Sequence, residues 1–347
     1  MSFGKLARGE SIAAQAAGPL FVVSMWRSGS SLLYALLNKH PQVGLMFEAD
    51  LALLQPLFLK PEGWQDWPRR WEFWNQALTR HQLRAQDIPA GITGFRAAFT
   101  LVHQQYARRK GATIWGDKSP NYYDRLREIA EIFPDARFII VWRDPADTIS
   151  SMVRAGQLGS AYFGRKGSAL RGLLGCPVLK QQCDELVSQG KPVLQLNYED
   201  LVNQPAAVMR GVCGFLKISY TDHLSSLRGA DRSAIYDYGS QHHALVKGDQ
   251  IVSAPRPDAI DPALRRKIAA YIARWRGLSP TGPKLLERIL DQLTYLALRA
   301  YDRLTALAFC VLPLSLLSRY RTRKYGLSGF SAKFRRLGSG ASFEVNP

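Results

Sequence analysis

The chain of 347 residues is 46% hydrophobic and carries 46 Lys+Arg against 28 Asp+Glu, a formal net charge of +18. That apolar share can bury a large core, and the length suits one elaborated α/β domain. Cys176, Cys183, Cys213 and Cys310 show no paired metal spacing, the six histidines form no ligand pattern and the chain has no internal repeat, which speaks against a zinc site and a repeat architecture.

Residues 1–18 read as a tail with no apolar segment long enough for a signal peptide or anchor, so a chain facing the reducing cytosol, its cysteines buried thiols, is expected. The first element is a strand over Leu20–Met25, which runs into the hydroxyl-rich turn Arg27-Ser28-Gly29-Ser30-Ser31 and then a helix over Ser31–Asn38. This is an anion cradle. N–H groups at a helix start point outward, Gly29 permits close approach, and Ser28, Ser30 and Ser31 add hydroxyl donors. Arg27 precedes the glycine and no lysine follows, unlike the triphosphate-binding pattern G-x-x-x-x-G-K-[ST], and this suits metal-free transfer of a charged group. Residues 29–39, taken as helical, advance about 16 Å, His40-Pro41 breaks the helix, and residues 42–48 return about 20 Å extended, bringing Glu48 back beside Arg27. Glu48 or Asp50 as a cap of the next helix is the plainer alternative. Trp64, Trp67, Trp71 and Trp74 repeat at helical spacing around Pro68, a stripe that reads first as core and second as a platform for a sugar ring or lipid.

A strand over Thr113–Trp115 leads to the turn Gly116-Asp117-Lys118-Ser119-Pro120 and a helix over Tyr122–Ile132. A buried strand over Arg137–Trp142 ends in Arg143 and turns at Asp144-Pro145 into a helix over Ala146–Arg154, with Ser151 two turns along. Arg143 and Ser151 can then reach one ligand at the sheet edge where open α/β sheets bind nucleotides. Residues 156–175 hold six glycines with Arg165, Lys166 and Arg171, and read as a basic lid or a plain surface loop. A strand over Val193–Asn197 precedes Tyr198-Glu199-Asp200-Leu201 and a helix over Ala206–Leu216; residues 231–257, with Lys247-Gly248-Asp249, read as a second closing loop. The alternation implies an α/β fold with a P-loop-like central parallel sheet flanked by helices.

Residues 261–347 carry 16 Lys+Arg against 5 Asp+Glu, so much of the positive excess lies there. Leu304–Leu317 is apolar, contains Pro313 and is followed by Arg319, Arg321, Arg323 and Lys324. It is too short to span a bilayer, but suits either the interface of an anionic membrane or packing on the core. The chain thus divides into a tail (1–18), an α/β domain (19–282) and a basic, partly apolar helical extension (283–347). No nucleic-acid recognition motif accompanies the charge, so no nucleic-acid partner is expected.

Taken together, four motifs in this order resemble the sulfotransferases that use 3′-phosphoadenosine-5′-phosphosulfate (PAPS). Arg27-Ser28-Gly29-Ser30-Ser31 is similar to the family's 5′-phosphosulfate loop, and Arg143 with Ser151 to its 3′-phosphate pair. Tyr198-Glu199-Asp200-Leu201 is similar to a Tyr-Glu-x-Leu segment whose tyrosine lies near the cofactor in the tyrosylprotein branch, and Gly116–Pro120 to the lysine-bearing turn of bacterial and Golgi-type members. The likeness spans about residues 19–205.

What the resemblance implies is PAPS as sulfuryl donor without a metal, bound by Arg27, Ser28, Gly29, Ser30, Ser31, Arg143, Ser151 and Tyr198. The reaction implied is in-line displacement at sulfur by a hydroxyl of a glycan or lipid, releasing adenosine 3′,5′-bisphosphate. A base must be an acid or histidine within reach of that hydroxyl. Glu48 stands at the interval from the loop arginine that the tyrosylprotein branch shows for its catalytic glutamate, with His242 and His243 as rivals. Lys118 and Arg27 would stabilise the developing charge. A peptide tyrosine acceptor, a non-catalytic nucleotide- or membrane-binding protein and a phosphotransferase are the alternatives; Glu48 and Lys118 count against the second, the missing loop lysine against the third. A bacterial protein of the cytoplasm, peripheral at the inner face of the membrane, is the expected setting.

Overall fold

The computed structural model describes residues 18–317 and 319, except 60, 76, 85, 87, 89, 90, 93, 158–162, 164–167, 236–245, 247, 254–260, 276–282 and 318. Five strands form one parallel sheet: β1 (Leu20–Ser24), β2 (Val43–Phe47), β3 (Ile114–Lys118), β4 (Arg137–Trp142) and β5 (Val193–Asn197), in the order β2-β3-β1-β4-β5. Every residue of β1, β2 and β3 is buried, as a parallel sheet covered on both faces requires. Period-2 alternation sorts their side chains between two cores. Phe21, Val23 and Phe138 face α4 (Phe95–Arg109), α5 (Leu126–Ile132) and α7 (Ser168–Ser188), whereas Leu20, Val22 and Ile139 face α1 (Ser30–Leu37), α8 (Tyr198–Asn203) and α9 (Pro205–Leu216).

Register fixes what leaves the sheet together. Ser24 pairs with Val141, Phe47 with Lys118 and Trp142 with Asn197. The loops after β1 and β4 therefore emerge side by side, Glu48 emerges beside Lys118, and Arg143 beside Tyr198. Because β1 lies between β3 and β4, the chain turns one way from β1 to β2 and the other way to reach β4, which opens a crevice at the carboxyl edge.

Several expected elements change on folding. β1 ends at Ser24 rather than Met25, and within the returning segment Val43–Phe47 forms a full edge strand. The turn-like Gly116-Asp117-Lys118 is pulled into β3 by pairing with β1 and β2, so a tertiary ladder overrides local turn chemistry. The helix expected over Tyr122–Ile132 divides into a 3₁₀ turn, Pro120–Tyr122, and α5, with Arg125 between them. The glycine-rich stretch is not one loop: α6 (Pro145–Gln157) and α7 occupy its two ends. A Cβ on Gly172 would sit 2.8 Å from Ile149 Cγ1, so this glycine lets α7 approach α6, and Arg171 pairs with Asp302 at 2.9 Å instead of forming part of a basic lid.

The tryptophan stripe lies on α2 (Pro61–Asn75), which runs through Pro68. Trp67 and Trp71 are buried and Trp71 Nε1 donates to Ala49 O at 2.6 Å, so these two rings are core rather than an acceptor platform. Past α3 (Ala77–Arg80), α10 (Pro262–Trp275) and α11 (Leu285–Val311) follow toward the C-terminal part. α11 packs on α7, on α2 and on a 3₁₀ segment, Leu51–Leu59. Arg70 of α2 caps its end, Nη1 donating to Phe309 O at 2.9 Å and Leu312 O at 2.8 Å. Among the described residues no helix is long and apolar enough to cross a membrane.

Candidate functional site

The turn after β1 is held in an unusual shape: Arg27 has φ 68° and Gly29 φ 92°. A Cβ on Gly29 would lie 2.2 Å from Tyr198 Cδ2, so the tyrosine ring occupies the space any larger residue would need. Gly29 is also the N-cap of α1 and supplies no side-chain acceptor, leaving N–H groups at the helix start to face the crevice. Ser30 Oγ lies 2.8 Å from Ser24 Oγ, while Ser28 is buried with its Oγ 3.3 Å from Thr148 Oγ1 of α6.

Two guanidiniums meet above this turn. Arg143 Nη1 donates to Arg27 O at 3.0 Å, its Cζ lies 4.6 Å from the centre of the Tyr198 ring, and Arg27 Nε donates to Ser151 Oγ at 3.2 Å. Burial, then the charge of Arg143, pulls the Arg27 guanidinium below its ordinary range, partly offset by Glu48 and Tyr198. Arg143 Nε is buried without a hydrogen-bond partner. Two like charges and an orphaned donor, converging beside a helix N-terminus, make an environment that an anion would stabilise.

Lys118 closes the other side. It is 1% exposed, its ammonium lies 4.2 Å from the centre of the Phe47 ring, and Nζ donates to Glu48 Oε1 at 2.7 Å and to Ser31 Oγ at 3.1 Å. One cation thus joins the anion loop to the carboxylate. The sequence-predicted set Arg27, Gly29, Ser31, Glu48, Lys118, Arg143, Ser151 and Tyr198 is linked by these contacts, with Ser28 and Ser30 on the same turn. His242 and His243 lie outside the described residues.

The network that shapes the Glu48 turn was not singled out in the sequence. Glu48 and Asp50 both have positive φ, 47° and 58°, a strained conformation for side chains of this kind. Asp50 directly precedes the 3₁₀ segment Leu51–Leu59, its backbone O accepting from Leu53 N at 3.0 Å. Buried Asp117 accepts from Ala49 N and Asp50 N, each at 3.2 Å, and from Tyr122 Oη at 2.7 Å; Arg80 Nη2 donates to Glu48 O at 2.8 Å. Asp50 accepts from Ser119 Oγ and from Asn121 Nδ2 at 2.9 Å, and Asn121 Oδ1 accepts from Trp26 Nε1 at 3.1 Å. A continuous chain of bonds therefore runs from the residue beside Glu48 to the residue beside Arg27. Burial, then the charge of Asp117, pushes Asp50 up to about 7, and burial raises Asp117 to about 6 against the bonds it accepts. The available signal was adjacency: Asp117, Ser119 and Asn121 flank or interleave the Lys118 motif. Among the described residues no group of three or more His, Cys, Asp or Glu could hold a metal ion.

Residues 19–222 match the model described as Sulfotransferase family. Protein-tyrosine sulfotransferase A of Caenorhabditis elegans is 25% identical over 252 residues, covering 70% of this chain and 60% of that protein. The omega-hydroxy-beta-dihydromenaquinone-9 sulfotransferase Stf3 of Mycobacterium tuberculosis (strain CDC 1551 / Oshkosh) is 25% identical over 240 residues, covering 55% of this chain and 61% of that one. The chain thus spans about three fifths of the length of these curated relatives. The sulfotransferase domain from the curacin biosynthetic pathway shares the fold, with TM-score 0.50 and 22% identity over 80% of this chain and 98% of that one.

Proposed function

The chain belongs to the sulfotransferase family, and from that premise we propose that it transfers a sulfuryl group from PAPS to a hydroxyl of a lipid or glycan, with Glu48 as general base. The bridge from Ser31 Oγ through Lys118 Nζ to Glu48 Oε1, at 3.1 and 2.7 Å, carries this reading, because it couples the anion loop to a carboxylate at the mouth of the crevice.

The donor set fits a nucleotide with anionic groups at both ends. The loop Arg27-Ser28-Gly29-Ser30-Ser31 would hold the phosphosulfate end, and Arg143 with Ser151 the 3′-phosphate, with the Tyr198 ring against the loop. When bound, PAPS supplies a sulfuryl group already joined to a good leaving group. Glu48, at 16% side-chain exposure, reaches solvent and is the group able to take a proton from an entering hydroxyl. Lys118 and Arg27 present fixed positive donors where negative charge grows, and their burial strengthens that effect. The hydroxyl acceptor is supported by Stf3, named for a lipid-like ω-hydroxylated quinol. The tyrosine sulfotransferase relative favours a second reading, a peptide tyrosine.

Thermal melting with adenosine 3′,5′-bisphosphate, against ADP with and without magnesium, tests the nucleotide. A larger shift with the bisphosphate is expected, because a ligand stabilises only the state that binds it; equal shifts overturn the assignment. Glu48→Gln should keep that shift while transfer to a long-chain alcohol, a sugar and a tyrosine peptide falls about 10²–10⁴-fold. Retained transfer would move the base elsewhere, His242 and His243 being next, and the preferred acceptor decides between the two readings.

A further inference from the structure

α11 is apolar on two opposite faces. Asp291, Tyr295, Ala306, Phe309 and Cys310 are buried against the body. At helical spacing on the other side, Leu286, Leu290, Leu293, Leu304, Leu307 and Val311 are 42–68% exposed. A surface helix ordinarily turns polar residues to water, so this continuous stripe, along a helix about 40 Å long, is an interaction surface.

Its electrostatics select the partner. The acidic residues of α11 are all paired with the body: Glu287 and Asp291 with Lys267, and Asp302 with Arg171. Immediately past the stripe the sequence turns basic, with 7 Lys+Arg and 1 Glu over residues 318–347. A second copy would bring +18 against +18, which opposes self-association. An anionic bilayer accepts both features at once, an apolar stripe and a strongly basic sequence after it.

We propose that the outward face of α11 docks this protein in the interface of an anionic membrane. The placement also suits the reaction. α11 packs on the segment Leu51–Leu59, with Cys310 Sγ 4.0 Å from Leu54 O, and that segment begins three residues after Glu48. The docked face is therefore one packing layer from the acceptor side of the crevice. This surface stands independently of the donor assignment, and its test reads binding alone.

Co-sedimentation of the full chain with vesicles of phosphatidylcholine alone, and of phosphatidylcholine with about one-third phosphatidylglycerol, measures the partitioning. Binding to the anionic vesicles, weakened by salt, is expected. L286Q/L290Q/L293Q/L304Q should weaken it at least tenfold while the cooperative melting transition of the protein alone stays, which shows the fold intact. R319Q/R321Q/R323Q/K324Q should remove the preference for anionic vesicles. Failure of the wild type to sediment, equal binding to both vesicles, or unchanged partitioning of the leucine variant overturns the proposal. So does a dimer, by light scattering, that the leucine substitutions dissociate.

Discussion

In β1 and β4 an apolar run is buried on both faces and its closing arginine, Arg27 or Arg143, turns inward over the sheet edge. In α11 an apolar run of similar composition is buried on one face only, and the sequence from 303 to 343, which holds the arginines that follow it, contains no Asp or Glu. The local pattern, apolar residues closing on a cation, is the same in both. What differs is the surrounding demand: a parallel sheet needs both faces covered, whereas a helix on the rim needs only one. A basic residue after an apolar run is thus a ligand donor or a surface anchor according to the element that carries it.

The largest effect should come from Lys118. Lys118→Ala removes the cation that joins loop and carboxylate, and turnover should fall about 10²–10³-fold while affinity for the bisphosphate changes little; steady-state kinetics and melting shifts measure the two separately. Gly29→Ala should come next: with φ 92° and a Cβ driven into Tyr198, it should destabilise the fold by about 1–3 kcal/mol and abolish the bisphosphate shift. Asp117→Asn halves the acceptor capacity behind the Glu48 turn. Turnover should drop about tenfold with the nucleotide shift intact, the signature of a positioning role. The same substitutions would leave vesicle binding by α11 untouched, and loss of that binding would break the separation of the two regions.

A smaller effect is expected in stability against pH. Asp50 and Asp117 titrate near 4 when unfolded but at about 7 and about 6 in the fold. The native state therefore holds protons that the unfolded chain has already released, so their contribution is full below about pH 4 and is lost as pH rises through 6 to 7. Asp50→Asn should flatten the fall in melting temperature across that window. An unchanged slope would place the titration elsewhere.

Much of the sheet edge was legible in the sequence because strand ends leave a signature: β-branched and aromatic runs closing on Arg27, Arg143 and Tyr198. Asp117 was harder to read, since Gly116-Asp117-Lys118 has the local chemistry of a turn and only the ladder to Val22 and Phe47 makes it a strand. Glu48 was reachable by counting distance out and back, but not the positive φ that aims it, which depends on donors and acceptors from three other segments. The stripe on α11 was partly visible as Leu304–Leu317. Its full extent needed the buried face, because apolar residues all round a helix do not announce which side meets the body.

Arg70 reaches from α2 to the last carbonyls of α11, and at the next residue of α2 the indole of Trp71 grips Ala49 O beside Glu48. The C-terminal helix and the turn bearing the carboxylate consequently hang from a single beam. A chain cut before Phe309 would strip Arg70 of its two acceptors and loosen that beam right beside its grip on Ala49, so the last helix is expected to matter for turnover even with a soluble acceptor and no lipid in the tube.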